Sequence, residues 1–357
     1  MERELRLMKG NEAIAEAAIR AGVDGYFGYP ITPQSEILEY LMETNASEKT
    51  GMVVLQVESE VAAINAVYAG AGCGKKVLTS SSSPGISLMQ EGISYISGAE
   101  LPCLIVNVVR AGPGLGTIQP SQGDYFQAVK GGGHGDYKLI VLAPESVQEM
   151  ADFVELGFDL AFKYRNPVFI LTDGAIGQMM EKVYLNPQKP RSEEIPSWAA
   201  VGKGDREKIN IITSLNLDPL TMEKFNQKLI DKYNNIKKHE VRFEEYYCDG
   251  ADYIVIAYGT SARVCKKAIQ IAREQGIKAG LLRPITLFPF PSDRISEMAN
   301  SVKGFLSVEL NAGQMVEDIA LAVNGKKPVR HFGRMGGVVV TAEEVVEKLK
   351  TFFIGGN

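Results

Sequence analysis

Residues 103–109 read Cys-Leu-Ile-Val-Asn-Val-Val, an apolar run that ends at Arg110 and the loop Ala111-Gly112-Pro113-Gly114. Short runs that read as strands recur along the first half of the chain, at residues 25–28, 52–57, 76–79, 139–142 and 168–171. Apolar strands separated by helices are typical of a parallel sheet covered by helices on both faces. The first half of the sequence therefore predicts a doubly wound α/β domain.

Helical periodicity fills the intervals between these strands. Apolar residues recur at helical spacing in residues 11–21, 36–42, 61–69, 86–96 and 146–162. A second α/β pattern begins at Asp252, with predicted strands at 253–258, 279–282 and 304–308 and predicted helices at 261–275 and 292–299. The stretch between the two patterns is rich in proline and charge, and its residues 222–245 look helical. We expect a first domain over 1–190, an interdomain segment over 191–248 and a smaller domain over 249–357.

The composition is that of an ordinary globular protein. Of the 357 residues, 45% are hydrophobic and 23% charged, and the net charge is −5. An acidic balance argues against a binding surface for nucleic acid or for an anionic membrane. No apolar run approaches the roughly 20 residues that a membrane span needs, and the first nine residues are rich in charge. The sequence predicts a cytoplasmic protein.

The cysteines are scattered. Cys73, Cys103, Cys248 and Cys265 form no Cys-x-x-Cys pair, whereas zinc ribbons and iron–sulfur clusters need clustered thiolates. The three histidines are also widely spaced. We therefore expect buried free thiols, and neither a metal site nor a cluster on this chain.

The stretch Tyr29-Pro30-Ile31-Thr32-Pro33 predicts a rigid turn that could bind a substrate. Two prolines fix the backbone on both sides of the turn and remove two N–H donors, so the Thr32 hydroxyl should hold one orientation. The alternative is a plain strand-to-helix turn, in which Thr32 or Ser35 caps the helix that follows.

Glu60 opens an alanine-rich apolar helix directly after a predicted strand. Its carboxyl group should lie at the carboxyl edge of the sheet, where open α/β folds bind their ligands. An isolated glutamate is more often a solvated surface residue. Glu58, two residues earlier, is the competing acid.

Arg110 ends its strand at the same edge, where its guanidinium group could hold a carboxylate with two hydrogen bonds. The alternative is a loop arginine that pairs with Asp124 or with solvent. The glycine loop after Arg110 lacks the spacing of a dinucleotide fingerprint. No Gly-x-Ser-x-Gly elbow surrounds the serine-rich turn at 80–85, so serine-hydrolase chemistry is not indicated.

Four of these stretches, taken in order, resemble the alpha subunit of the 2-oxoacid:ferredoxin oxidoreductases. They are the turn at 29–33, the strand and acid at 55–60, the serine turn at 80–85 and the loop at 110–114. The resemblance implies a thiamine-diphosphate-enzyme pyrimidine-binding domain, followed by a smaller domain like the C-terminal domain of transketolase. It also implies site residues: Glu60 as the catalytic acid on the cofactor's pyrimidine, Thr32 and Arg110 for the substrate, and Pro30, Ile31, Ser83 and Pro84 beside the cofactor.

Thiamine enzymes bind the diphosphate and Mg²⁺ through a Gly-Asp-Gly motif, and the sequence contains none. In the family this part lies on a separate beta subunit, so the resemblance implies a shared thiamine diphosphate. Mg²⁺ and iron–sulfur clusters are then expected on partner subunits, among them a beta subunit, a ferredoxin-like small subunit and a gamma subunit. Ferredoxin and coenzyme A are the implied co-substrates.

The sequence does not decide which 2-oxoacid is the substrate. The layout resembles the 3-methyl-2-oxobutanoate type most, with the 2-oxoglutarate type next. A dicarboxylate would need a second cation, for which Lys130, His134 and Lys138 are candidates. Two other functions also remain: the pyrimidine-side subunit of a lipoyl-linked 2-oxoacid dehydrogenase or transketolase-like enzyme, and a non-enzymatic assembly subunit. The stoichiometry, the coenzyme A site and the role of Gly131–Gly135 are undecided.

Overall fold

The computed structural model describes residues 3–353 and 355. The strands in this part are β1 Glu4–Lys9, β2 Gly25–Gly28, β3 Val53–Gln56, β4 Val77–Ser81, β5 Leu104–Val109, β6 Ile140–Leu142, β7 Val168–Asp173, β8 Met180–Leu185, β9 Phe243–Tyr246, β10 Tyr253–Ile256, β11 Ala279–Pro284, β12 Thr286–Phe288, β13 Gly304–Glu309 and β14 Val329–Gly333. The helices are α1 Gly10–Arg20, α2 Ser35–Glu43, α3 Ala46–Thr50, α4 Glu60–Gly72, α5 Ser83–Gly98, α6 Tyr125–Val129, α7 Val147–Tyr164, α8 Gly174–Gln178, α9 Pro219–His239, α10 Gly259–Glu274, α11 Ser292–Met298, α12 Met315–Val323 and α13 Ala342–Phe353. None of the helices in this part of the chain is both long and apolar enough to span a bilayer.

Six strands of the first half and β12 from the second half form a seven-stranded sheet in the order β12-β6-β7-β5-β4-β2-β3. All neighbours are parallel except β12, which runs antiparallel to β6. Every residue of the central strands β5 and β7 is buried, because helices cover both faces. The predicted doubly wound α/β fold is confirmed, and the strands predicted here are present within two residues of their expected bounds.

The second half forms a five-stranded sheet in the order β14-β13-β10-β11-β9. The prediction of helix through residue 245 is wrong at its end, since α9 stops at His239 and residues 243–246 form β9, antiparallel to β11. Glu244 and Glu245 made this stretch look like an exposed helix. Both are paired with arginines, Glu244 with Arg283 and Glu245 with Arg294, so that the charged strand packs at the edge of the sheet.

The two halves are joined by more than the chain connection. Strand β12 belongs to the C-terminal half but completes the first sheet. Gln122, which is 2% exposed, lies in the loop after β5 and binds the second half with its whole side chain. Its Nε2 donates to the Tyr258 carbonyl at 2.8 Å, and its Oε1 accepts from the Ser261 hydroxyl at 2.8 Å and from the Leu310 N–H at 2.9 Å. The loop after β5 is therefore fixed against the second half.

Arg283 lies at this junction, only 2% exposed. It pairs with Glu149 at 2.6 Å, Glu145 at 3.0 Å and Glu244 at 3.1 Å. We expect Arg283→Met to lower the free energy of unfolding by about 2–3 kcal/mol, because Glu149 loses its ion-pair partner while Glu145 and Glu244 keep only Lys266. Arg294→Met, which breaks more exposed pairs with Glu245 and Glu297, should change it by less than about 1 kcal/mol. Denaturant unfolding of both variants checks the difference, and equal losses would contradict it.

The predicted burial of the free thiols is right for Cys103 and Cys265, while Cys73 and Cys248 are half-buried. Partial burial raises the pKa of the Cys248 thiol to about 12, with a smaller contribution from nearby Glu245. All four cysteines are free, and this thiol is protonated at neutral pH.

Candidate active site at the carboxyl edge of the first sheet

The polar residues singled out from the sequence follow the carboxyl ends of neighbouring strands. The turn at 29–33 follows β2, Glu60 begins α4 shortly after β3, and Ser83 begins α5 after β4. Arg110 comes directly after β5. Because β2, β3, β4 and β5 are parallel neighbours, these residues share one edge of the sheet, which is where doubly wound folds bind ligands.

Glu60 is buried at the start of α4, at 6% exposure. The helix is capped by Ser59, whose hydroxyl accepts the Ala62 N–H at 3.2 Å, and this leaves the Glu60 side chain free of the capping role. Within the described residues, the Glu60 carboxylate has no hydrogen-bond or ion-pair partner from a side chain. Glu58 is exposed. Of the two acids, only Glu60 lies inside the fold.

Gly85 allows α5 to approach this carboxylate. A Cβ atom on Gly85 would lie 2.5 Å from Glu60 Oε1 and 2.1 Å from Ser81 Oγ, which no side chain tolerates. The hydroxyl groups of Ser81 and Ser82 are buried here and have no hydrogen-bond partner in the described part of the chain. A buried carboxylate and a nearby unpartnered hydroxyl such as that of Ser81 are unfavourable unless water or a ligand bonds to them.

The turn at 29–33 is held from three sides. Gln34 Nε2 donates to the Tyr29 carbonyl at 3.0 Å, and Asn11 Nδ2 donates to the Pro33 carbonyl at 2.7 Å. The third contact is Arg110 Nη1 to the Thr32 carbonyl, at 3.1 Å. The Thr32 side chain is exposed. The alternative interpretation as a helix cap is wrong, because the cap of α2 is Gln34 and no side chain bonds there.

Arg110 is 9% exposed. Its Nη1 donates to the Thr32 carbonyl, and its buried Nε has no partner. Asp124, the alternative partner considered from the sequence, does not pair with it, since its carboxylate accepts from Ser83 and Asn107 instead. Among the described residues, no carboxylate lies within ion-pair distance of Arg110. A buried guanidinium group without a counter-ion can bind an anion strongly.

Ser83 connects this arginine to an acid. The Ser83 hydroxyl donates to Asp124 Oδ2 at 2.6 Å and accepts the main-chain N–H of Arg110 at 3.1 Å. The Ser83 N–H donates to Asn107 Oδ1 at 3.1 Å, while Asn107 Nδ2 donates to Asp124 Oδ2 at 2.8 Å. Burial raises the pKa of Asp124, and the two hydrogen bonds from Ser83 and Asn107 oppose that rise. Pro84 lies in the first turn of α5, beside this network.

Sequence reasoning missed Asn107 and Gln34 and treated Asp124 only as a competing partner. One signal was available for Asn107, since it is the polar residue in an otherwise apolar strand. The sequence carries no comparable signal for Gln34, whose role depends on the distant Ser80. The Ser80 hydroxyl donates to Gln34 Oε1 at 2.6 Å and lies 2.7 Å from the Tyr26 hydroxyl.

Two family models match the chain. The one described as "Pyruvate flavodoxin/ferredoxin oxidoreductase, thiamine diP-bdg" covers residues 16–245, and "Pyruvate:ferredoxin oxidoreductase core domain II" covers residues 251–345. The chain is 51% identical to ketoisovalerate oxidoreductase subunit VorB of Methanothermobacter thermautotrophicus over 97% of both chains. It is 36% identical to 2-oxoglutarate synthase subunit KorA of Methanothermobacter marburgensis, over 96% of this chain and 97% of the relative. These relatives carry the subunit names VorB and KorA rather than alpha.

Two solved structures share the fold of this chain. The 2-oxoglutarate:ferredoxin oxidoreductase from Magnetococcus marinus, with 2-oxoglutarate, coenzyme A and succinyl-CoA bound, superposes with a TM-score of 0.85 at 27% identity. The match covers 98% of this chain, which spans only 65% of that longer chain. A split-gene transketolase, an inactive β4 tetramer, matches 96% of this chain and 97% of its own with a TM-score of 0.60 at 13% identity, which shows a shared fold. The chain belongs to the thiamine-diphosphate-binding pyruvate flavodoxin/ferredoxin oxidoreductase family, and its relatives are subunits of 2-oxoacid oxidoreductases.

Proposed function

We propose that this chain is the subunit of a 2-oxoacid:ferredoxin oxidoreductase that binds the pyrimidine side of thiamine diphosphate and the carboxylate of the substrate. The complete enzyme would oxidatively decarboxylate a 2-oxoacid with coenzyme A to an acyl-CoA, CO₂ and reduced ferredoxin. The observation that carries the proposal is the buried Glu60 carboxylate, which lies beside Gly85. In the described part of the chain, no side chain forms a hydrogen bond or an ion pair with this carboxylate.

The residues around Glu60 suit an aminopyrimidine ring. Gly85 lets the start of α5 lie close to the carboxylate, and the buried Ser81 hydroxyl lacks a partner in the described part of the chain. When bound, the cofactor supplies a nucleophilic carbon and an electron sink for the 2-oxoacid. Glu60 would hold a proton at a ring nitrogen, and the half-buried Pro30, Ile31 and Pro84 would form apolar contacts with the ring.

Arg110 and Thr32 would bind the substrate carboxylate. Arg110 contributes a buried positive charge, and its bond to the Thr32 carbonyl keeps the two residues together. A guanidinium group that meets a carboxylate in a partly buried site gives both affinity and orientation. Ser83 would lie beside the cofactor at the same edge, with its hydroxyl and N–H bonded to protein groups.

For the substrate side chain, the surroundings favour the branched-chain 3-methyl-2-oxobutanoate over 2-oxoglutarate. The loop after Arg110 presents exposed apolar side chains, Leu115 at 81% and Ile118 at 57%. The three cations considered for a second carboxylate have contacts of their own. Lys130 pairs with Asp318, Lys138 donates to the Val129 carbonyl at 3.3 Å, and the His134 ring lies edge-on to Tyr95. The more similar relatives are named as ketoisovalerate enzymes, which supports the same preference.

A partner subunit would complete the cofactor site. The chain has no Gly-Asp-Gly motif for the diphosphate and Mg²⁺. Apolar side chains are exposed near the Glu60 edge, on the turn after β2, on α4 and on α5: Tyr29, Val61 and Leu88. Exposed apolar groups beside a ligand site are typical of a protein interface. We place the diphosphate, Mg²⁺ and the iron–sulfur clusters on such partners.

Calorimetry with thiamine diphosphate and Mg²⁺ tests this split site. We expect no measurable binding to the chain alone, and Mg²⁺-dependent binding once the partner subunit is added, because the acid and the diphosphate ligands lie on different polypeptides. A titration of the mixture without Mg²⁺ is the control. Tight, Mg²⁺-dependent binding to the isolated chain would contradict the proposal.

A further inference from the structure

A short chain of hydrogen bonds links Arg110 to Asp124. The Ser83 hydroxyl has one proton, and the 2.6 Å contact with Asp124 Oδ2 directs that proton to the carboxylate. The oxygen of the same hydroxyl then accepts the main-chain N–H of Arg110 at 3.1 Å. Asn107 bonds both Ser83 and Asp124, so the acid and the serine are held together. The main chain of Arg110, which also forms a bridge with Pro120, is therefore connected to Asp124 through Ser83.

Asp124 is itself held by the second half of the chain. The side chain of Gln122, two residues earlier, forms hydrogen bonds with Tyr258, Ser261 and Leu310. On the other side, Gln314 Nε2 donates to the Gly123 carbonyl at 2.7 Å, and Gln314 Oε1 accepts the Phe126 N–H at 2.8 Å. The segment that carries Asp124 is thus fixed at both ends to the second α/β unit.

We propose that Asp124 is a positioning residue, which orients Arg110 toward the 2-oxoacid carboxylate through the Ser83 hydroxyl. This inference rests on the proposed function of Arg110 as the carboxylate-binding group. It assigns the second α/β unit a part in substrate binding, since Gln122 and Gln314 set the place of Asp124. A displacement of a binding group by about 1 Å can lower a rate about a hundredfold, so a group that fixes the arginine acts on the reaction without touching the substrate.

The test measures KM, kcat and thiamine diphosphate affinity in the complete enzyme carrying Asp124→Ala, Ser83→Ala or Arg110→Ala. We expect Asp124→Ala and Ser83→Ala each to raise KM for the 2-oxoacid about tenfold, and Asp124→Ala, which lies away from the cofactor, to leave the cofactor affinity unchanged. In the Arg110→Ala background, Asp124→Ala should cause no further loss of kcat/KM, because its effect passes through the arginine. Losses that add in the double variant would overturn the inference, as would an unchanged KM in both single variants.

Asp318→Asn is the matched control. Asp318 lies on α12 and bonds Tyr125 and Lys130, so this variant weakens one contact between the two units while the hydrogen bonds of Ser83, Asp124, Gln122 and Gln314 stay in place. It should leave KM unchanged, and a rise equal to that of Asp124→Ala would show a general structural effect and overturn the inference. If Arg110→Ala has normal kcat/KM, the proposed carboxylate site fails, and the positioning role with it. If Arg110→Ala is impaired and the other two variants are normal, only the positioning role fails.

Discussion

Glu60→Gln is expected to lower turnover by about 10²- to 10⁴-fold, which is the usual effect of removing an acid–base group. The amide keeps the size of the side chain, so the fold, the approach of Gly85 and subunit assembly should be retained. It cannot exchange a proton with a ring nitrogen as the carboxyl group can. Hydrogen–deuterium exchange at C2 of bound thiamine diphosphate measures this step directly, separately from substrate binding.

Glu58→Gln is the matched control for Glu60→Gln. Glu58 is an exposed acid two residues earlier in the chain. Its variant therefore makes the same change, from a carboxylate to an amide, at a position outside the site. We expect wild-type exchange in Glu58→Gln and slow exchange in Glu60→Gln. Normal exchange in Glu60→Gln would refute the role of this acid, and slow exchange in Glu58→Gln alone would assign the role to Glu58.

Arg110→Ala is expected to lower kcat/KM for the 2-oxoacid by about 1.5 to 3.5 powers of ten, because truncating one partner of a buried charge pair costs about 2–5 kcal/mol. At 9% exposure, Arg110 is desolvated enough for this range to apply. Thiamine diphosphate should still bind, since the substitution lies on the substrate side. Steady-state kinetics together with cofactor calorimetry separates the two effects.

Two further variants define how Arg110 acts. Arg110→Lys keeps the charge but loses the two-pronged contact, so its kcat/KM should fall between those of the wild type and Arg110→Ala. Thr32→Val removes an exposed hydroxyl and should have a smaller effect, about tenfold. Wild-type kinetics in Arg110→Ala would show that the substrate carboxylate binds elsewhere.

Part of the fold can be predicted from the sequence because its signals are local. Apolar runs such as residues 103–109 are long enough to indicate buried parallel strands, and the helices between them follow from periodicity. Two of the strands that were missed, β12 and β9, depend on partners elsewhere in the chain. Strand β12 has three residues and exists as a strand because it pairs with β6, more than 140 positions earlier. Strand β9 is stabilised by the arginine partners of its glutamates.

The sequence by itself determined that Glu60, Ser83 and Arg110 lie at one edge of the sheet, since each follows a strand and parallel strands end on the same side. It could not decide whether these groups are free or occupied. Only the tertiary structure places the Glu60 side chain against Gly85 while Glu58 stays in solvent, and only the tertiary structure directs Asp124 to Ser83 and Asn107 instead of Arg110. The physical reason is that burial and hydrogen-bond partners are set by chain segments far apart in sequence, whereas the direction of a strand end is a local property.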